Sequence, residues 1–199
     1  NGIIDAFTHV MEQYLTYPHD GYLQDRIAEG ILQTLIEVAP RIIADPTDYE
    51  AASNFMWCCT MALNGLIQLG VPSDWAIHMM GHELTALHGI DHARTLAIIA
   101  PSHYRYNLET KKEKLAQYGE RVWNLAEGTL EEKAKEAIVK TENFLHSLDI
   151  KTTHKEYTEK YEGTAETISK RFVDRGWKGL GERRNLTPED VEKIVKMSY

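Results

Sequence analysis

The chain has 199 residues, of which 43% are hydrophobic and 26% charged, and its formal net charge is −8 at pH 7. A chain of this length buries enough apolar surface for one stable domain without disulfide bonds. Its composition is ordinary for a globular protein, and the excess of acidic residues argues against a nucleic-acid partner.

The first part of the chain has the apolar periodicity of α-helices. Hydrophobic residues recur every three or four positions over residues 3–14 and again over residues 20–44, where Pro40 is expected to bend or interrupt the helix. A capping-box spacing that begins at Thr47 predicts a third helix, which should run toward Leu69.

Two more helical segments are predicted in the middle of the chain. Ser73 is placed to cap the first of them, and Gly89 is placed to end it. A short apolar stretch then covers residues 95–100. We expect it to end at Pro101, because proline removes a helical hydrogen bond.

The rest of the chain is also predicted to be helical. Capping boxes begin at Thr129, from which a helix should extend toward Leu148, and at Thr187; another helix is expected to start at Thr164. The charged run at residues 111–114 is interpreted as a solvated helix face. Because no segment alternates as a strand would, the sequence predicts an all-α fold.

The two cysteines, Cys58 and Cys59, are adjacent, a spacing at which disulfides rarely form. We interpret them as small hydrophobic side chains on a helix. No apolar run approaches the ~18 residues that a membrane span needs. Together these features predict a cytoplasmic protein with no membrane partner.

Histidines and one carboxylate are spaced as metal ligands often are. Asp5 and His9 are four residues apart, as are His78 and His82, so each pair lies on one helix face. His92 follows soon after the predicted helix end. Three imidazoles and a carboxylate suit Fe²⁺ or Zn²⁺, although each pair alone is more often structural or merely exposed.

Three other motifs are weaker. His82 begins the zincin pattern H-E-x-x-H, but Ala86 stands where the second histidine should be. The pair His19-Asp20 is of a kind that helical metal-dependent phosphohydrolases use, and Asp20 is more simply a helix cap. The glycines of residues 176–181 lack the spacing of a dinucleotide-binding loop, and we expect a loop there.

Several segments together resemble the iron-containing (group III) alcohol dehydrogenases, and most of all their NADPH-dependent butanol dehydrogenase or aldehyde reductase branch. The resemblance lies in residues 1–9, 64–67, 70–76, 78–84 and 88–92. It extends along essentially the whole chain.

The resemblance implies a metal site and its residues. It places the metal ligands at Asp5, His9, His78 and His92, with Fe²⁺ or Zn²⁺ as the ion. It places His82 near the substrate and the nicotinamide, as a catalytic residue.

The resemblance also implies what the chain does and what it lacks. Residues 1–199 would be a single all-α metal-binding domain, and the α/β nucleotide-binding domain of the family would be absent, so no cofactor-binding residues are assigned. The complete enzyme would transfer a hydride between NADP(H), in preference to NAD(H), and a small alcohol or aldehyde, as a homo-oligomer such as a dimer. Because the chain starts at Asn1 rather than Met, we expect a fragment. We expect it to be inactive alone, because most of the nucleotide site would be absent. The alternatives are a non-catalytic helical interaction domain and a helical phosphohydrolase.

Overall fold

A computed structural model describes residues 1–199, of which 68% are helical and none form a strand. The all-α fold predicted from the sequence is therefore confirmed. A short 3-10 helix covers His154–Glu156. The nine α-helices are α1 Gly2–Tyr14, α2 Tyr22–Ala44, α3 Tyr49–Ala62, α4 Ala76–His88, α5 His92–Tyr106, α6 Leu108–Val122, α7 Leu130–Ser147, α8 Thr164–Asp174 and α9 Pro188–Met197.

One large hydrophobic core joins the helices. The helix α1 lies inside it and packs against α2, α3 and α5, with Phe7, Val10, Met11 and Tyr14 almost completely buried. The remaining helices pack mainly in neighbouring pairs: α2 with α3, α4 with α5, α6 with α7, and α8 with α9. None of the nine helices combines the length and the apolarity that crossing a bilayer requires.

The capping boxes predicted at Thr129 and Thr187 are confirmed. The Thr129 hydroxyl accepts a hydrogen bond from the Glu132 amide, and the Thr187 hydroxyl accepts one from the Asp190 amide. In both cases the carboxylate of the later residue accepts in return from the threonine amide. The helix predicted at Thr164 also begins there.

The third helix is shorter than predicted at both ends. Asp48, not Thr47, caps α3, and its carboxylate accepts from the Ala51 amide at 3.0 Å. The helix ends at Ala62, because the Asn64 side chain accepts from a backbone amide two residues on and closes a turn that the helix cannot continue through.

Both internal prolines lie within helices. The helix α2 continues past Pro40 to its end at Ala44, and α5 continues past Pro101 to Tyr106, so the predicted end at residue 101 is wrong. His103 and Tyr104 follow this proline and are almost completely buried. Their packing in the core offsets the one hydrogen bond that the proline removes.

The charged run at residues 111–114 is only partly solvated. Lys111 and Lys114 are buried, whereas Glu113 is exposed. Each buried lysine is paired with carboxylates from other parts of the chain: Lys114 with Asp25, and Lys111 with Asp74 and Glu182. The interpretation as a solvated face is therefore wrong for these two lysines.

Candidate metal centre

The helix α1 presents three polar side chains on one face. Asp5, His9 and Glu12 are four and three residues apart, which aligns them along the helix. Nδ1 of His9 lies 2.9 Å from the backbone carbonyl oxygen of Asp5 and 3.3 Å from the carboxylate atom Oδ1 of the same residue. Since a carbonyl only accepts, Nδ1 of His9 carries the proton and Nε2 carries the lone pair.

The start of α4 is capped from α1 rather than by Ser73. The helix begins at Ala76, whose amide donates to Oδ1 of Asp74 at 2.9 Å. The amide of Ile77 donates to Glu12 at 2.6 Å, and the next amide also donates to Glu12. The Ser73 hydroxyl instead accepts from an indole N–H, so its predicted capping role is wrong.

A close approach of α4 and α5 brings their histidines together. A Cβ atom at Gly81 would lie 3.0 Å from Oγ1 of Thr95 and 3.1 Å from Cδ2 of Leu96, so glycine permits the helices to pack this tightly. The helix α4 ends at Gly89, as predicted, in the left-handed conformation. His92 is then the first residue of α5.

Three of the predicted ligands meet at this junction. Oδ1 of Asp5 lies 3.6 Å from Nε2 of His92 and 4.0 Å from Nε2 of His78, and one ligand atom from each residue lies within 4.8 Å of the others. The His78 side chain is 7% exposed, but those of Asp5 and His92 are 40% and 35% exposed. The cluster is thus closed on the His78 side and open to solvent on the other.

The other two predicted residues adjoin this cluster. His9 lies outside the group of three, with its ring centroid 4.2 Å from that of His78. His82 is exposed, one turn after His78 on α4, and its ring centroid lies 4.8 Å from that of His92.

Burial and mutual proximity keep most of these imidazoles neutral. Burial and the neighbouring His9 lower the pKa of His78 to about 4. Burial and His78 also lower the pKa values of His82 and His92. For His9, burial acts in the same direction, but its contacts with the carboxylate and the carbonyl oxygen of Asp5 outweigh it and raise the pKa. Neutral imidazoles have the free lone pairs that metal ligation requires.

Two residues of the site, Glu12 and Trp75, are not predicted from the sequence. Glu12 contacts Nδ1 of His78, and Trp75 packs near both His9 and His78, at ring-centroid distances of 5.8 and 5.5 Å. The spacing of Asp5, His9 and Glu12 on one helix face was a usable signal for the glutamate. No local signal pointed to Trp75.

The weaker motifs lie elsewhere. Nδ1 of His19 accepts from the Gly21 amide, and Asp20 accepts from the hydroxyl of Tyr22. Gly21 is the N-cap of α2 and no side chain caps this helix, so the predicted capping role of Asp20 is wrong. The segment at residues 176–181 is a loop, as expected.

Comparison with known proteins gives one consistent family. Residues 1–199 match the family model described as "Fe-containing alcohol dehydrogenase family, C-terminal". The NADPH-dependent aldehyde reductase YqhD of Escherichia coli (strain K12) is 48% identical over 197 residues, which are 98% of this chain and 50% of the reductase. The NADH-dependent butanol dehydrogenase A of Clostridium acetobutylicum is 35% identical over 200 residues, which are 100% of this chain and 51% of that enzyme.

Comparison with solved structures indicates the same family. The substrate- and cofactor-free form of YqhD superposes with a TM-score of 0.96 at 44% identity, over 100% of this chain and 52% of that one. For the butanol dehydrogenase A of Thermotoga maritima the TM-score is 0.88 at 27% identity, over 98% of this chain and 50% of that one. The chain spans about half the length of these relatives. It belongs to the Fe-containing alcohol dehydrogenase family and corresponds to its C-terminal domain.

Proposed function

We propose that this chain is the metal-binding part of an NAD(P)-dependent alcohol dehydrogenase or aldehyde reductase. The observation that carries the proposal is the convergence of Asp5, His78 and His92 from three helices. In a bundle whose other buried charges are mostly paired, such a junction of a carboxylate with imidazoles needs a binding partner.

The residues fit a divalent metal ion. Oδ1 of Asp5 and Nε2 of His78 are buried and have no hydrogen-bond partner. Two ligands of one tetrahedral ion lie about 3.4 Å apart when each bond is about 2.1 Å. The separations of 3.6 and 4.0 Å from Oδ1 of Asp5 are close to that value. Imidazole with carboxylate suits Fe²⁺ or Zn²⁺.

The proposal gives each residue a role. Asp5, His78, His92 and His9 would hold the ion, the last through the Nε2 lone pair that its hydrogen bond to the Asp5 carbonyl leaves free. When bound, the ion would supply Lewis acidity for the oxygen of an alcohol or aldehyde. His82 lies on the open side, and with its lowered pKa it is neutral near pH 7; it would accept or return the hydroxyl proton or position the nicotinamide.

The cofactor and substrate are proposed from the relatives. YqhD is NADPH-dependent by name and the Clostridium acetobutylicum enzyme NADH-dependent; the higher identity to the former supports NADP(H). The substrate would be a small alcohol or aldehyde. Hydride transfer would need the part of the relatives that this chain does not cover. From the family resemblance, the complete enzyme would be a cytoplasmic homodimer.

Metal binding by purified variants tests the ligand set. We expect the wild-type chain to bind one Zn²⁺, measured by calorimetry. His78→Ala and His92→Ala should lose most of this affinity, because each removes a ligand from a site of few ligands. His82→Ala should keep it, because His82 is proposed to act on substrate rather than on the ion.

A histidine at the end of the same helix provides the control. His88 lies on α4 outside the cluster, and its Nε2 is hydrogen-bonded to the Thr164 hydroxyl. His88→Ala should therefore bind Zn²⁺ as the wild type does. Wild-type affinity in both His78→Ala and His92→Ala would refute the assignment.

A further inference from the structure

Glu12 connects α1 to the first turn of α4. Its side chain is 1% exposed. Oε1 accepts from the Ile77 amide at 2.6 Å, Oε2 accepts from the His78 amide at 3.2 Å, and Oε2 also contacts Nδ1 of the His78 ring. One buried carboxylate thus holds both the backbone and the side chain of a proposed ligand.

This contact determines which ring nitrogen of His78 is free. Burial and Asp74 raise the pKa of Glu12, whereas the two backbone N–H groups that donate to its oxygens stabilise the ionised form. We take the carboxylate as the acceptor toward the His78 ring, so that Nδ1 carries the proton. The lone pair then lies on Nε2, which is buried, has no hydrogen-bond partner and lies 4.0 Å from Oδ1 of Asp5. Rotating the ring away from Asp5 would break its bond to Glu12.

We infer that Glu12 is a positioning residue of the metal centre, which holds His78 in the tautomer and orientation that present Nε2 to the ion. The inference rests on the proposed function, because it takes His78 as a ligand. A carboxylate behind a metal-bound histidine also raises its basicity, and losing such a group typically lowers metal affinity by about 10- to 100-fold.

Glu12 also caps α4, so the experiment must separate positioning from general anchoring of that helix. Glu83 provides the matched control. It is a buried carboxylate on α4 that pairs with Arg171 and Arg175 of the α8 region and makes no contact with a proposed ligand. Glu12→Gln and Glu83→Gln each remove one buried charge at nearly constant volume.

The measurement is titration of the metal-free chain with Co²⁺, followed by its visible absorption, alongside circular dichroism of each variant. Glu12→Gln should bind Co²⁺ about 10- to 100-fold more weakly, with an altered spectrum, while Glu83→Gln binds as the wild type does. Wild-type binding by Glu12→Gln would overturn the inference. Equal weakening in both variants would also overturn it, because anchoring of α4 would then explain the loss.

An incorrect set of metal ligands would give a different result from an incorrect role of Glu12. If the wild type binds no Co²⁺, or if His78→Ala binds it as tightly, the proposed function fails first. If Glu12→Gln does not fold, imidazole ¹⁵N shifts of the metal-free wild type still decide the matter. His78 should carry its proton on Nδ1, and a proton on Nε2 would refute the inference.

Discussion

His154 is completely buried, and neither of its ring nitrogens has a hydrogen-bond partner. It is surrounded by rings: His88 of α4, Tyr161 and Tyr199 lie at centroid distances of 4.8, 6.3 and 6.0 Å. Burial and the neighbouring His88 lower the pKa of His154 to about 4. This residue is therefore neutral in the folded protein and must lose neighbours or gain water to become charged.

The low pKa makes stability depend on pH. An unfolded histidine titrates near 6.5, so between pH 6.5 and about 4 the unfolded chain binds more protons at this residue than the folded one. The contribution of His154 to the free energy of unfolding should therefore be fully present above pH 6.5 and should be lost as the pH drops across this window. In urea unfolding of the metal-free chain, His154→Phe should reduce this loss by about 1 to 3 kcal/mol.

His78 and His103 also have pKa values lowered to about 4, so part of the pH dependence should remain in that variant. Tyr161→Phe changes a neighbour of the same ring without removing a group that titrates in this range, and it should keep the wild-type slope. An unchanged slope in His154→Phe would contradict the assignment of a buried neutral imidazole.

At the scale of elements, Lys111 of α6 ties together three connecting segments. Its ammonium donates to the Leu15 carbonyl at 2.6 Å and pairs with Asp74 and Glu182, each at 2.8 Å. The side chains of all three charged residues are at most 6% exposed. The three segments lie after α1, before α4 and before α9. This one cation therefore holds the segment before α4 against the other two.

Removing that cation should destabilise the fold strongly. Lys111→Met keeps the aliphatic length but leaves two buried carboxylates without their partner, a change that typically costs about 3–5 kcal/mol. Its neighbour Lys112 pairs with the exposed Glu109, and Lys112→Met should cost less than about 1 kcal/mol. Denaturant unfolding of both variants measures the difference, and similar losses would show that Lys111 is no more important than a surface lysine.

Helix starts were predictable where the signal is local. The boxes at Thr129 and Thr187 use residues three apart, and both form. For Ser73 and Lys111, where the structure differs from the prediction, the cause is a distant contact. Glu12 reaches α4 from another helix and displaces Ser73 as the cap, and Asp74 with Glu182 draws Lys111 into the core. Residues far apart in sequence leave no periodic pattern.

In the site, too, local features were predictable and distant contacts were not. The i,i+4 spacing gave the pairs on α1 and α4, and the order of the motifs gave their resemblance to a family. The meeting of Asp5, His78 and His92 required the close packing at Gly81 and the carboxylate of Glu12. These belong to the tertiary structure and could not be read from spacing.

At the scale of the whole molecule, the proposed ligands come from α1, α4 and α5, which share the large core. An ion bound by all three helices binds only the folded chain. Its binding should therefore raise the free energy of unfolding, by about 4 kcal/mol at a free concentration 1,000 times its dissociation constant. The same fold contains no strand and no glycine-rich loop between a strand and a helix, which dinucleotide-binding domains use to hold pyrophosphate.

We therefore expect this chain to bind the metal ion without catalysing the reaction. With Zn²⁺ or Fe²⁺ present, its thermal unfolding temperature should rise, yet it should not oxidise NADPH with a short-chain aldehyde, because a metal centre alone cannot hold the nicotinamide against the substrate. The thermal shift serves as the internal control that the protein is folded and loaded. NADPH absorbance measures turnover. Sustained aldehyde-dependent oxidation by the 199 residues alone, lost in His78→Ala, would show that these helices hold the cofactor themselves.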